Sequence, residues 1–402
     1  MTADLEIVQA DEIISAGTTK GSLHPRPKVA ILTNYPYDGK TFTGGVETAT
    51  AGLLEGLSEY RGEFDFHIFA LSRDCSSHTT EEREGMMFHF IAIPHTWYGR
   101  PHVIPNILNA RRHLKKLQPD LVHCQDNMAL AIGAMSAQPA RKLFTVHGIK
   151  SVESSVWEGP EYWSHQMDAQ LERWVRHRFD EVVTISSYVD RFLPLHVRKH
   201  HIANPVRGMF FASPRTDKAM QQFLFVGALT RLKRPLDVIK AYGKLKELIP
   251  SATLRIVGEA EDKPYMQEIR KHITENGITG VDFLGARRQQ DVLALMRESA
   301  ALVLTSVQEN SPMVIAESMA AGLPVIASRV GGVPMMITDE VNGLMFECGN
   351  IDQLAERMTR VLHDNNLANQ LVRNGRERAL STYSSNAVAA ATVQVYRTML
   401  KN

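Results

Sequence analysis

Short apolar runs recur along this chain, each followed by a longer stretch whose apolar residues return every three or four positions. The first run, KVAILT at 28–33, is bounded by Pro27 and Asn34 and reads as a buried parallel strand. A glycine-rich loop then leads to a helix predicted over 47–60. Further strands are predicted at 64–70, 120–124, 141–147 and 181–186, with helices at 128–137 and 168–179. Short strands alternating with amphipathic helices imply an α/β fold whose parallel sheet is covered on both faces.

A second series opens after Asn204, Pro205 and the polar stretch 213–218. Its predicted strands are 223–226, 253–257, 281–284, 301–305 and 324–327, and its helices 235–248, 264–276, 289–299, 312–321 and 352–363. The pattern therefore predicts two open α/β units of similar size with a linker near 205–220. Residues 1–25 stand outside it as a tail. In such sheets ligands sit beyond the carboxyl ends of the strands. Two sheets facing each other place the site in the cleft between them.

Composition narrows the function classes. At 402 residues the chain suits two or three domains. With 45 basic against 44 acidic residues, it has no overall field for holding nucleic acid. Cys75, Cys124 and Cys348 are odd in number and far apart, which disfavours a disulfide scaffold or a structural zinc and suits a reducing cytoplasm. The first twenty residues lack a basic secretory leader, and no apolar run reaches the length of a membrane span. The expectation is a soluble cytoplasmic protein.

The segment SVQENSPMVIAE, 306–317, is the most informative. Pro312 suits a first helical turn, and the amides after it, at Met313 and Val314 beside Ser311, are free donors at the positive helix end. Glu309 is expected in the preceding loop and Glu317 about two turns inside, roughly 8–10 Å from the helix start. A diphosphate at the amides, flanked by a sugar and a ribose, needs hydroxyl acceptors about that far apart. Two solvated glutamates are the plain alternative, but Glu317 lies in an otherwise apolar segment.

In this E-x7-E pattern and the segments around it, the chain resembles the family 4 retaining glycosyltransferases. The segments SMAAGLPVIAS, GGVP and NGLMF follow it in the family's order. GGVE at 44–47, TVHG at 145–148, ANPV at 203–206, FVGALTRLKRP at 225–235, RIVGE at 255–259 and FLG at 283–285 precede it. The resemblance implies the GT-B fold, two Rossmann-like domains facing across a deep cleft. An acceptor-binding domain would span 26–207 and a donor-binding domain 208–383, with the last helix, within 384–402, crossing back to complete the first.

Single residues take their roles from this resemblance. Gly44 and Gly45 approach the donor sugar and diphosphate; read alone they are equally a tight turn. No G-x-G-x-x-G is present to support a nicotinamide dehydrogenase. His147, at a predicted strand end, lies near the donor sugar, where it hydrogen-bonds a hydroxyl or assists charge development. Gly227 ends a strand, and Lys233 neutralises the leaving diphosphate. Ala228 stands where the family has an arginine, so Arg231 is expected to supply the second cation. Gly258 lines the same edge. Arg287 sits where the family holds the base, largely by backbone groups, so the base is not legible.

The implied activity is transfer of a hexose from a nucleoside diphosphate sugar, UDP-glucose by default, to a saccharide, lipid-linked or small-molecule hydroxyl, with the anomeric configuration retained. No D-x-D occurs, and with cations at the diphosphate this predicts transfer without a metal. Arg111, Arg112, Lys115 and Lys116 share one predicted helix, either a solvated face or a peripheral membrane contact. Oligomeric state is left open. A glycosidase would space two carboxylates across one sugar and need neither Lys233 nor the helix end. An epimerase and a catalytically silent nucleotide-sugar sensor are the other readings.

Overall fold

A computed structural model describes residues 25–40, 42, 44–93, 103–125, 127–135, 140–148, 169–193, 197–212 and 221–401. The expected tail at 1–25, apart from Pro25, and the expected linker stretch 213–218 lie outside the described residues.

The first sheet has eight strands. They are β1 (Lys28–Thr33), β2 (Asp65–Ser72), β3 (Thr79–Arg83), β4 (Met86–Ala92), β5 (Leu121–Gln125), β6 (Arg141–Val146), β7 (Glu181–Thr184) and β8 (Arg198–His201). Their spatial order is β3-β4-β2-β1-β5-β6-β7-β8, and only the β3–β4 pair is antiparallel. β1 and β5 are almost wholly buried because helices cover both faces of a parallel sheet. The chain moves outward from β1 through β2 and then returns to β5, so a crevice opens at the carboxyl ends of β1 and β5.

The second sheet is wholly parallel. β9 (Gln222–Val226), β10 (Thr253–Val257), β11 (Val281–Gly285), β12 (Ala301–Leu304), β13 (Val325–Ser328) and β14 (Leu344–Phe346) lie in the order β11-β10-β9-β12-β13-β14. Here the reversal falls between β9 and β12. Loops leaving these two neighbours must converge on one crevice. Each sheet carries an apolar cluster on either face, one including Phe223 and Tyr242 and its opposite Leu224 and Ile315.

Four strands escaped the sequence pattern. β3 is TTEER, a polar edge strand without an apolar stripe; β8 is RKHH, equally polar. β4 and the three-residue β14 were not anticipated either. The Asn365–Tyr383 helix was also missed; it packs Ala379 and Tyr383 into the second domain. After it, the Ser385–Lys401 helix returns to the first domain and buries Val388, Val393 and Tyr396 against its core. At Gly56, in the Gly45–Leu57 helix, an added Cβ would lie 2.1 Å from the carbonyl oxygen of Ser385. The returning helix is that close. Among the described residues no helix is long and apolar enough to cross a membrane.

Candidate functional site: the interdomain cleft

A cavity of about 570 Å³ lies where the loops from the two sheets meet. The second domain builds its floor. After β12 the chain runs through Ser306 and Glu309 to Pro312, which caps the Met313–Ala321 helix with extended backbone (φ −65°, ψ 116°). Pro312 is thus the cap, one residue before the first turn where the sequence placed it. No side chain caps this helix, and its first two residues, Met313 and Val314, line the cavity. Glu317 lies five residues past Pro312, about 7.5 Å along the axis. That is nearer one and a half turns than the expected two.

Both carboxylates line the cavity while nearly buried, Glu309 9% and Glu317 8% exposed. Glu309 Oε1 accepts hydrogen bonds from Lys233 Nζ (2.6 Å) and Ser306 Oγ (2.7 Å). Glu317 has a weaker partner, since Gln289 Nε2 donates to its Oε1 at 3.4 Å. Burial therefore dominates and pushes the Glu317 carboxyl up to about 7, with Gln289 acting against it.

The loop holding Glu309 is clamped by two glycines. Gly332 N–H donates to the Glu309 carbonyl at 2.8 Å. A Cβ on Gly331 would fall 1.9 Å from that oxygen, and one on Gly332 1.8 Å from the Asn310 carbonyl oxygen. Gly331 also has φ +51°, a left-handed backbone.

The first domain supplies the roof. Gly44, Gly45 and His147 line the cavity, and a Cβ on Gly45 would come within 3.9 Å of the Met313 side chain across the cleft. His147 Nε2 lies 2.7 Å from Gln125 Oε1. Burial lowers its basicity to about 4, the Asn204 side chain working the other way. The ring is neutral near pH 7.

The structure thus gathers Gly44, Gly45, His147, Gly227, Lys233, Arg287, Glu309, Ser311, Pro312, Met313, Val314 and Glu317 around one cavity. Two expected members, Arg231 and Gly258, are absent from that lining. Arg231 has a 63% exposed side chain, paired with Glu268 at 2.9 Å and Asp262 at 3.7 Å over the Tyr265 ring. Its charge is already matched on the surface. Gly258 is absent from the lining because its backbone packs on Gly227, whose carbonyl oxygen a Cβ would meet at 1.9 Å. Sequence reasoning missed Asn204, Gln289 and Gln308. Asn204 lay inside the ANPV segment and could have been found; the glutamines follow no pattern. Gln308 Nε2 donates to Tyr188 Oη at 2.9 Å and ties the two domains together beside the cavity.

Two facing Rossmann-like domains with this cleft between them define the GT-B class. Comparison with known proteins then names the family. Residues 43–206 match the model for glycosyltransferase family 4, and residues 208–378 that for glycosyl transferases group 1. The glycogen synthase of Mycobacterium tuberculosis is 29% identical over 72% of this chain and 73% of its own length. An uncharacterised glycosyltransferase of Methanocaldococcus jannaschii is 27% identical over 92% of this chain and 98% of its own. In fold, the sucrose-phosphate synthase from Thermosynechococcus elongatus aligns with a TM-score of 0.77 at 20% identity, covering 94% of this chain and all of that one. Anabaena HepE in complex with UDP-glucose aligns at 0.69 and 19% identity over 92% and 99% of the two chains. The chain belongs to the family 4 glycosyltransferases and is a hexosyltransferase acting on nucleoside diphosphate sugars.

Proposed function

We propose that the enzyme moves a hexose from a UDP-sugar, with UDP-glucose the first candidate, to a hydroxyl of a saccharide, lipid-linked or small acceptor, retaining the anomeric configuration and using no metal. One observation carries this reading: Lys233, Glu309, Glu317 and an uncapped helix start converge on one cavity. The uncapped helix start and Lys233 offer positive charge to a diphosphate. Glu317, buried with a single long hydrogen bond, offers acceptors to ribose hydroxyls, and Glu309 to those of the sugar. HepE, seen with UDP-glucose, is the reason to try that donor first.

In the proposed reaction the bond from the anomeric carbon to the β-phosphate oxygen breaks, leaving that electron pair on the phosphate. The acceptor oxygen bonds the anomeric carbon from the same face, and its proton passes to the leaving phosphate oxygen. Lys233 and the helix amides stabilise the charge that develops there. The test is UDP release from a panel of nucleotide sugars, with and without acceptors and with EDTA, and the anomeric form of the product read by NMR. An inverted product removes retention, and EDTA-sensitive turnover removes metal independence. Sugar interconversion without acceptor supports an epimerase. Binding without any turnover supports a sensor.

A further inference from the structure

A line of buried polar groups runs from the returning C-terminal helix to the cleft. Tyr396, fully buried on the Ser385–Lys401 helix, places its Oη 2.6 Å from Nδ1 of His123 on β5. His123 Nε2 lies 2.7 Å from Thr145 Oγ1 on β6 and 3.0 Å from Nε2 of Gln125, the last residue of β5. The other end of the same amide, Oε1 of Gln125, is 2.7 Å from Nε2 of His147. Five side chains, from the last helix, β5, β6 and the loop just after β6, form one network of contacts. All of it lies inside the first domain.

The chemistry of an amide makes this line directional. Its nitrogen only donates and its oxygen only accepts. With Gln125 placed this way, its N–H donates to a bare His123 Nε2, and its oxygen accepts from a protonated His147 Nε2. His123 must then carry its proton on Nδ1 and donate to Tyr396 Oη. His147 is left with Nδ1 bare and buried, with no partner at hydrogen-bond distance among the described residues, although the Asn204 side chain acts on the ring.

We infer that Gln125, held by His123, Thr145 and Tyr396, is a positioning residue that locks His147 in the Nε2–H tautomer and keeps its Nδ1 as a hydrogen-bond acceptor in the cleft wall. Its catalytic consequence rests on the sugar-transfer reading above; the tautomer itself does not. A rotating imidazole would present a donor or an acceptor at random, whereas an orienting partner selects one. Burial keeps both rings neutral, pushing His123 down to about 3, largest by desolvation and then by the neighbouring His147. The lock is thus made of tautomers and needs no charge.

The experiment begins with the unmodified protein carrying ¹⁵N-histidine. Long-range proton–nitrogen correlation at pH 7.5, with His147 assigned by its loss in His147→Asn, reads each tautomer directly. The expected pattern is a protonated Nε2 and a bare Nδ1; an Nδ1–H ring or a fast-exchanging mixture overturns the inference. Gln125→Met, close in volume but without hydrogen bonds, is expected to give a mixed tautomer and to lower kcat by tenfold up to about a hundredfold, with the donor KM within about twofold. Gln125→Glu restores an acceptor for Nε2–H and should recover the tautomer and part of kcat. An unchanged His147 spectrum in Gln125→Met overturns the inference. If that variant does not fold, the wild-type spectrum decides alone. A wild type that transfers no sugar yet shows Nε2–H defeats the transfer reading and upholds the lock.

Discussion

The ammonium of Lys233 donates to Oε1 of Glu309 at 2.6 Å, so one of the cavity's two cations and one of its two carboxylates are engaged with each other. Lys233 comes from the loop after β9 and Glu309 from the loop after β12, the two strands at which the chain reverses direction. In the proposed reaction a diphosphate competes with Glu309 for the ammonium. Binding then frees a carboxylate for sugar hydroxyls at the moment the phosphate claims the charge.

Lys233→Met should therefore depress kcat more than it weakens UDP binding. Loss of one electrostatic stabiliser of a leaving group costs about 2.7–4 kcal/mol, or 10²–10³ in kcat. Steady-state kinetics alongside UDP titration checks the split. Equal kcat in mutant and wild type would remove Lys233 from the chemistry.

Arg231→Ala should leave kcat within about twofold and the melting temperature nearly unchanged. Its guanidinium serves exposed pairs with Glu268 and Asp262 outside the cavity, and such pairs contribute little. A hundredfold loss of kcat would return Arg231 to the diphosphate.

Glu317 makes stability and binding depend on pH near neutrality. Its folded carboxyl, raised to about 7, holds its proton more tightly than in the unfolded chain. The stabilisation is complete below the unfolded value near 4.5 and is lost as pH rises through 7, by at most about 3 kcal/mol. In Glu317→Gln the melting temperature should lose this slope between pH 5 and 8, and UDP affinity its pH dependence over the same window. Parallel curves for mutant and wild type would contradict the assignment.

His123 and His147 act with the opposite sign. Burial depresses both, to about 3 and about 4, so their neutral forms favour the fold. That stability is intact above the unfolded value near 6.5 and is lost as pH falls through 4. Circular dichroism melts from pH 7 to 4 should show the loss, and His147→Asn should reduce it.

Gly332→Ala should damage the site from outside its lining of charged groups. The new Cβ would sit 1.8 Å from the Asn310 carbonyl oxygen, so the loop holding Glu309 must move. Core-type overpacking of this sort costs about 1–3 kcal/mol. A lower melting temperature with donor KM raised at least tenfold is expected, and unchanged kinetics would show that the loop yields freely.

Much of the strand–helix rhythm was legible in advance. β1, β10 and the Pro235–Leu248 helix fall within the bounds read from periodicity, because apolar runs and Pro caps are local signals. The edge strands β3 and β8 were not, since their pairing comes from neighbours and their own residues are polar. Gln125 offered no signal either. An amide becomes a relay only when β5, β6 and the C-terminal helix set two imidazoles at its two ends.

The order of residues alone determined the α/β class, two units of similar size, and the proximity of Glu309, Glu317 and the helix start, which lie within eight positions of one another along the chain. Tertiary structure decided what depends on distant segments. Lys233 meets Glu309 across 76 positions, Tyr396 meets His123 across 273, and Arg231 turns outward to carboxylates whose placement no local pattern encodes. Periodicity reports which face of an element is buried; only the sheet order and the return of the last helix determine which other element it is buried against.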